Sequence, residues 1–151
     1  MRRWLPCLAI VALACGDGVG PVDQLLTLQR NESRWRAAGV HDYDFDYQLT
    51  AMVFAPPVAI QVRNDLVFAV MSKSTGAALP VDGWPTVDSL FVWTRRDLGI
   101  PDYNIQITYD GQYHFPAVVS GDIPNAADDE FTRAASHFQP ALTLDASLRR
   151  P

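Results

Sequence analysis

The sequence has very little cysteine and very little lysine. Its two cysteines, Cys7 and Cys15, lie close together at the start of the chain. A mature domain cleaved before Cys15 therefore keeps one thiol and can form neither an internal disulfide nor a cysteine-ligated zinc or iron–sulfur site. Lys73 is the only lysine among 12 basic residues, against 17 acidic ones. The formal net charge of −5 leaves no basic surface to neutralise phosphates, which argues against nucleic acid as a partner.

Recognisable catalytic and cofactor motifs are also missing. The chain has no GxGxxG or GxxxxGK(S/T) loop for a nucleotide, no GxSxG nucleophile turn and no HExxH metal pair. His41, His114 and His137 do not follow a known ligand spacing. We therefore expect no cofactor and no metal, and we favour a non-catalytic protein. A serine triad assembled from scattered Ser, His and Asp residues stays open, because sequence never excludes one.

The first residues resemble a bacterial lipoprotein signal. Met1 to Arg3 supply a positive start, an apolar run follows, and VALAC places a small residue directly before Cys15. The run is too short to span a bilayer as a helix. We predict a signal peptide over residues 1–14, a lipid on Cys15 as the only membrane attachment, and a flexible tether over 15–22. Soluble secretion, to the periplasm or the medium, is the alternative.

Hydrophobic periodicity divides the rest of the chain into helices and strands. Spacings of three and four residues predict one helix over 23–38, ended by Gly39, and a second over 87–98, capped by Thr86. Alternating apolar residues predict strands at the following segments: 43–51, 58–63, 66–71, 102–110, 114–120 and 130–138.

The order of these elements indicates the fold class. It is α-β-β-β-α-β-β-β, with tight turns between successive strands, which favours an antiparallel sheet. We predict an α+β domain with a sheet of about five to six strands and two helices packed on one face. We place this single domain at residues 23–138 and expect 139–151 to form a tail or a short extra strand.

The segment HDYDFDYQLT, which ends at Thr50, alternates aspartates with aromatics. Three spaced aspartates invite a calcium-loop interpretation, but Tyr47 and Val53 stand where such a loop needs glycine and glutamate. Aromatics at every second position are typical of a strand. We predict that the aromatics face the core and that the aspartates face water.

A hairpin is predicted at RND, between two apolar runs. A two-residue loop pairs Arg63 with Leu66 and requires an unusual backbone angle at Asp65. Simple alternation then places Phe68 and Val70 on the face of Leu66, so both faces of this strand carry apolar groups.

Two groups of side chains are candidate functional sites. Aromatic loop residues form a binding patch if they are exposed together, although singly such residues more often pack over the ends of a sheet. These residues are Trp84, Tyr113, His114 and Phe115. An acidic group suits a hard cation or a small hydrolase, although its ordinary interpretation is a solvated approach to a strand. Its members are Asp122, Asp128, Asp129 and Glu130.

Several segments together resemble a known family. They are RWRAAGVHDYDF, VAIQVRNDLVFAV, PTVDSLF, ITYDGQYHFP and DDE, spread over residues 23–138. In order and spacing they are similar to the exported bacterial lipoproteins grouped as domain of unknown function 6174. The resemblance implies an exported, often lipid-anchored α+β domain without established activity, and it supplies no catalytic residue.

The chain also departs from the pattern of that family. Many relatives carry a CxC-type pair where this chain reads AMVFAPP, so a disulfide or metal role of those cysteines is absent here. Asp65 stands in place of the hairpin glycine, and His114 stands in place of a second glycine.

These observations lead to one main functional expectation and two alternatives. The main one is a monomeric, non-catalytic domain held near the envelope, which binds a protein, a peptide or an envelope polymer through its polar sheet face or its loops. The first alternative is a small hydrolase or lytic accessory enzyme that uses acids of the 122–130 region. The second is a secreted inhibitor-like module.

Overall fold

The computed structural model describes residues 20–52, 55–124 and 130–141. In this part of the chain there are two helices, α1 (Pro21–Ala38) and α2 (Val87–Leu98), and seven strands. The strands are β1 (Tyr43–Thr50), β2 (Val58–Arg63), β3 (Leu66–Ser72), β4 (Ala78–Leu79), β5 (Asn104–Tyr109), β6 (Pro116–Asp122) and β7 (Phe131–Pro140). They form one sheet in the order β4-β3-β2-β1-β7-β6-β5, and every pair of neighbours is antiparallel. The predicted α+β class is confirmed.

The sheet consists of two meanders joined along one central seam. Strands β1 to β4 are neighbours in the sheet in chain order, and so are β5 to β7. Helix α2 connects the two meanders, and the seam is the pairing of β1 with β7, for example Tyr47 with Ala135. The two halves of the sheet therefore meet through contacts that are distant in sequence.

The sheet has more strands than the five or six predicted. The extra strand is β4, two residues inside a segment that reads as a loop, and it pairs with Val70 and Met71 at the end of β3. Strand β7 also continues to Pro140, two residues beyond the predicted domain end. The predicted signal peptide, most of the tether and the chain after residue 141 lie outside the described residues.

The end of α1 and the start of α2 are each fixed by a capping residue. Gly39 has φ 61°, the left-handed conformation that closes many helices. The Thr86 side chain accepts from the Ser89 backbone N–H, and the Ser89 hydroxyl accepts in return from the Thr86 N–H, which makes a capping box. Both predicted helices are confirmed. Neither helix of the described part is long and apolar enough to cross a membrane.

The β2–β3 hairpin confirms the predicted turn and corrects the predicted faces. Asn64 and Asp65 have φ values of 50° and 62°, as a two-residue primed turn requires. The register then shifts, because Phe68 is an extra residue between two paired positions. Val70 therefore points into the core and is 2% exposed, whereas Phe68 is 67% exposed. The prediction that Val70 shares a face with Leu66 is wrong.

The two faces of β1 match the predicted alternation. Tyr43, Phe45 and Tyr47 are buried in the core, together with side chains from both helices. On the other face, Asp44 bonds to Arg63 at 2.7 Å. Asp46 bonds to Lys73 and, at 2.9 Å, to His137.

The aspartates of β1 are therefore paired with basic side chains and do not form a bare acidic row. Among the described residues, no three His, Cys, Asp or Glu side chains are grouped so that they could hold a metal ion.

Candidate functional site: an aromatic cleft with a charged floor

A cleft opens where the core face of the sheet reaches the end of β1. Its walls come from β1, the start of β7, the C-terminal end of α2 and the loops that carry Trp84 and Tyr103. The cavity volume is about 660 Å³, within the range that small-molecule sites in proteins occupy. We call it the aromatic cleft, after the residues that form its walls: Tyr47, Trp84, Trp93, Tyr103 and Phe131.

The rings of the walls are held in place by one another. Trp84 meets Tyr47 edge to face, with centroids 6.4 Å apart, and its indole N–H donates to the Pro80 carbonyl at 3.0 Å. Tyr103 lies 6.1 Å from Phe131 in a tilted arrangement. Because the Trp84 N–H already has a partner, this wall presents mainly carbon surface to the cavity.

The position of Phe131 depends on a glycine in the neighbouring strand. A Cβ atom at Gly121 would lie 2.8 Å from Phe131 Cζ and 2.8 Å from Ile105 Cδ1. Such distances are far below ordinary contact, so only glycine lets the Phe131 ring lie across β6. The same ring then supports the floor of the cleft.

A buried ion pair forms that floor. Arg133 on β7 donates to the carboxylate of Asp97 on α2, and the two side chains are only 9% and 4% exposed. The Arg133 guanidinium also lies over the Phe131 ring, with its carbon 4.5 Å from the centroid, and 5.8 Å from that of Trp93. Arg96 contacts the same carboxylate at 3.3 Å from the rim, where its side chain is 70% exposed.

The electrostatics of the cleft reflect this burial. Burial lowers the pKa of Arg133, and the neighbouring Arg96 acts in the same direction while Tyr47 opposes it. Burial likewise raises the pKa of the Tyr47 hydroxyl, and the charge of Arg133 partly offsets that rise. The floor is therefore a poorly hydrated pair of one guanidinium and one carboxylate, and the second guanidinium, that of Arg96, lies at the solvated rim.

The structure separates the four aromatic loop residues that the sequence nominates as a patch. Trp84 lines the aromatic cleft. Tyr113 and Phe115 belong to the opposite end of the core face, where each ring lies about 5 Å from Phe138. Phe115 is 1% exposed and so offers no surface to a partner. His114 has φ 64° in the turn between them.

That opposite end is a closed aromatic cluster, which we define as Trp35, Tyr43, Tyr113, Phe115 and Phe138. Trp35 meets Tyr43 and Phe115 edge to face, at 5.5 Å and 6.1 Å. Its indole N–H donates to Asp88 at 3.3 Å, and the Tyr43 hydroxyl accepts from the Val87 N–H at 2.9 Å. Burial raises the pKa of Tyr43 strongly.

The predicted acidic group is only partly within the described residues. Asp122 ends β6 opposite Asn104, and Glu130 precedes β7 as an exposed residue. Asp128 and Asp129 lie outside the described part of the chain, as does the predicted lipidation residue Cys15. The structure therefore places two of the four acids, and in the described part neither belongs to a group of three His, Cys, Asp or Glu side chains that could hold a metal ion.

Sequence reasoning missed Asp97 and Arg133, although a signal for both was present. Asp97 lies seven residues after Leu90, a spacing that keeps it on the buried stripe of α2. Arg133 has the same parity as Phe131 and Ala135, the residues of β7 that face the core. Two opposite charges at core-facing positions of a helix and a strand indicate a buried pair.

The helices, the antiparallel sheet and the open cleft define a small α+β domain with a ligand-sized cleft on its core face. A profile of the family of unknown function DUF6174 matches residues 27–140, and the chain belongs to this family. No curated protein matches the chain.

Proposed function

We propose that this protein is a non-catalytic exported domain, anchored by a lipid on Cys15, that binds a component of the cell envelope in the aromatic cleft. The observation that carries the proposal is the cleft itself. It combines aromatic walls, a volume of about 660 Å³ and a small number of polar groups gathered on its floor. Sites that bind small molecules or segments of polymers share this combination.

The polar groups of the floor suit binding better than catalysis. Asp97 is held by Arg133 and Arg96, so its carboxylate is fixed as an ion-pair partner and is not poised as a base. The described acids of the alternative hydrolase, Asp122 and Glu130, are not lining residues of the aromatic cleft. The cleft therefore supports recognition of a ligand without a reaction on it.

The binding proposal is tested by photo-crosslinking in the intact envelope. The photoreactive residue p-benzoylphenylalanine is placed at Ile100, which lines the cleft and is 41% exposed. The matched control places it at Val92, an exposed apolar position of the preceding helix α2 that does not line the cleft. We expect an adduct at Ile100 that is absent at Val92 and is lost when Trp84→Ala is added. Equal labelling at both positions, or labelling that survives Trp84→Ala, would contradict the proposal.

The anchor is tested separately by mass spectrometry of the mature N-terminus. The proposal expects a diacylated or triacylated cysteine at position 15, because VALAC places the cleavage point directly before it. A mature chain that begins elsewhere, or carries no lipid, would leave the cleft proposal standing and remove the anchor.

A further inference from the structure

The described residues that line the aromatic cleft carry two positive charges and one negative charge. Arg96 and Arg133 each contribute a guanidinium, and Asp97 is the only acid among the described lining residues. The carboxylate accepts from both, with Arg133 on one oxygen and Arg96 on the other. A formal excess of one positive charge therefore remains in a cavity whose other walls are largely apolar.

The two guanidinium groups differ in their surroundings. Arg133 is fixed on the floor, since Asp97 holds one of its amino groups and the ring of Phe131 lies beneath it. A guanidinium has five N–H donors, so one carboxylate contact does not exhaust them. Arg96 lies at the rim and contacts Asp97 only through distances of 3.3 and 3.4 Å. It can turn toward a ligand without leaving a buried carboxylate alone, because Arg133 stays.

The walls select the body of the ligand. They offer ring faces and edges from Trp84, Trp93 and Tyr103, and the indole N–H of Trp84 is already bonded to a backbone carbonyl. Flat apolar groups stack well against such rings. A sugar needs several hydrogen bonds around its ring, and the wall formed by Trp84 and Phe131 offers it none, because the Trp84 indole N–H is already bonded.

We propose that the cleft binds a compact apolar ring compound that carries a single carboxylate, with the ring between the aromatic walls and the carboxylate on Arg96 and Arg133. This inference rests on the proposed function, namely that the cleft is the binding site, and it adds the chemical class of the ligand. A neutral ring would leave the excess charge unbalanced. A cation would be repelled by it.

The test compares two probes of nearly equal shape, naphthalene-2-carboxylate and naphthalene-2-carboxamide. Both are titrated by calorimetry into the full-length lipidated protein in detergent. We expect the carboxylate to bind roughly tenfold tighter than the carboxamide, since a hydrogen-bonded charge contact is worth about one order of magnitude in affinity or more. Because the neutral carboxamide partitions into micelles more than the carboxylate, the partition of each probe is measured in protein-free detergent and each affinity is calculated from the free probe concentration.

Arg96→Gln is the decisive variant, and Arg95→Gln is its matched control. Arg95 is the preceding residue of α2, but its side chain bonds to Glu32 on α1 and does not line the cleft. Both substitutions remove one positive charge from the same helix. We expect Arg96→Gln to weaken the carboxylate roughly five- to tenfold and to leave the carboxamide unchanged. We expect Arg95→Gln to change neither.

Three outcomes overturn the inference, and they separate it from the proposed function. If the two probes bind with equal affinity and Arg96→Gln changes neither affinity, the cleft binds the ring but does not recognise the carboxylate. Binding of N-acetylmuramic acid without binding of naphthalene-2-carboxylate shows that the ring body is a sugar. Absence of probe binding while the Ile100 crosslink still forms shows that the cleft is occupied by another ligand class. The proposed function itself is contradicted only by the crosslinking test: by no adduct at Ile100, by equal labelling at Val92, or by labelling that survives Trp84→Ala.

Discussion

The two ends of the core face contain aromatic residues in similar number but differ in what the aromatics do. The closed aromatic cluster packs ring against ring around Trp35 and Phe138. The aromatic cleft spaces its rings around a cavity and an ion pair. Both ends take rings from the same alternation in β1, Tyr43 for one and Tyr47 for the other. The difference therefore comes from the residues that β7 places opposite them.

A bulge in β7 explains that difference. Asp44 pairs with Gln139 and Asp46 with Ser136, so two residues of β7 lie opposite Phe45. His137 has φ 53° at this point. The extra residue reverses the side-chain parity of the strand and turns Phe138 into the core, where it completes the closed cluster. Before the bulge, the opposite parity applies and brings Arg133 to the core face, where it forms the floor of the cleft.

The largest expected effect comes from removing a ring of the closed cluster. Phe115→Ala should cost roughly 3–5 kcal/mol of unfolding free energy, because Phe115 is 1% exposed and its neighbours cannot collapse fully into the space. Phe131→Ala, in the half-buried wall of the cleft, should cost roughly 1–2 kcal/mol, since part of that ring already meets water. Urea unfolding measures both. A greater loss of unfolding free energy for Phe131→Ala than for Phe115→Ala would contradict the description of one end as closely packed and the other as open.

Breaking the ion pair of the cleft floor is expected to be the next largest effect. Asp97→Asn leaves the buried Arg133 without its charge partner and should cost about 3 kcal/mol. Replacing both residues, as Asp97→Leu with Arg133→Met, should recover much of this loss, because no buried charge is then left alone. Denaturant unfolding of the single and double variants forms the cycle. If the double variant is less stable than Asp97→Asn, the attraction between Asp97 and Arg133 exceeds the free-energy cost of removing their charges from water.

The support beneath Phe131 gives a smaller but more specific test. Gly121→Ala should cost roughly 1–3 kcal/mol through overpacking against Phe131 and Ile105. It should also weaken probe binding in the cleft, because the displaced ring is part of the wall. Gly111→Ala is the control, since a Cβ there meets nothing within 4 Å. Unchanged stability and unchanged probe binding in Gly121→Ala would contradict the predicted role of this glycine.

The smallest expected effect is a difference between Tyr43 and Tyr47 in how much unfolding free energy is lost at alkaline pH. A raised folded-state pKa contributes stability that is complete below the ordinary tyrosine value of 10.0 and is lost as the pH rises above it. Tyr43 should account for a loss of about 1 kcal/mol between pH 9 and pH 11, because its raised pKa keeps it protonated in the folded state while it ionises in the unfolded state. Between these two pH values, Tyr43→Phe should therefore lose less unfolding free energy than the parent. Tyr47→Phe should reduce the loss by a smaller amount, because the charge of Arg133 partly offsets the raised pKa of Tyr47. Urea unfolding at the two pH values measures these losses, and an equal reduction of the loss in both variants would contradict the prediction.

Local sequence patterns predicted most of the helices and strands but few of the residues of the aromatic cleft. The helices at 21–38 and 87–98 and the alternation of β1 follow from spacing and caps that are visible in short windows. The pairing of β1 with β7 does not, because no local signal states which strands meet across the seam. The bulges at Phe68 and His137 also escaped prediction, since each reverses a parity that simple alternation assumes constant.

The cleft was missed for the same reason. Trp84 was nominated, but it was grouped with Tyr113 and Phe115, which lie at the other end of the face. Asp97 and Arg133 are separated by a helix end and two strands in sequence, and only the packing of α2 over β7 joins them. A core-facing charge on each element was the available signal.

The most direct test of the account is an NMR titration that observes the tryptophan indole N–H groups of the full-length protein. Signals are assigned with Trp→Phe variants, and naphthalene-2-carboxylate and naphthalene-2-carboxamide are added in turn. The account predicts that at least one probe shifts the indoles of Trp84 and Trp93 in the aromatic cleft and leaves that of Trp35 in the closed cluster unchanged. An equal shift at Trp35, or no shift at Trp84 and Trp93 with either probe, would contradict it.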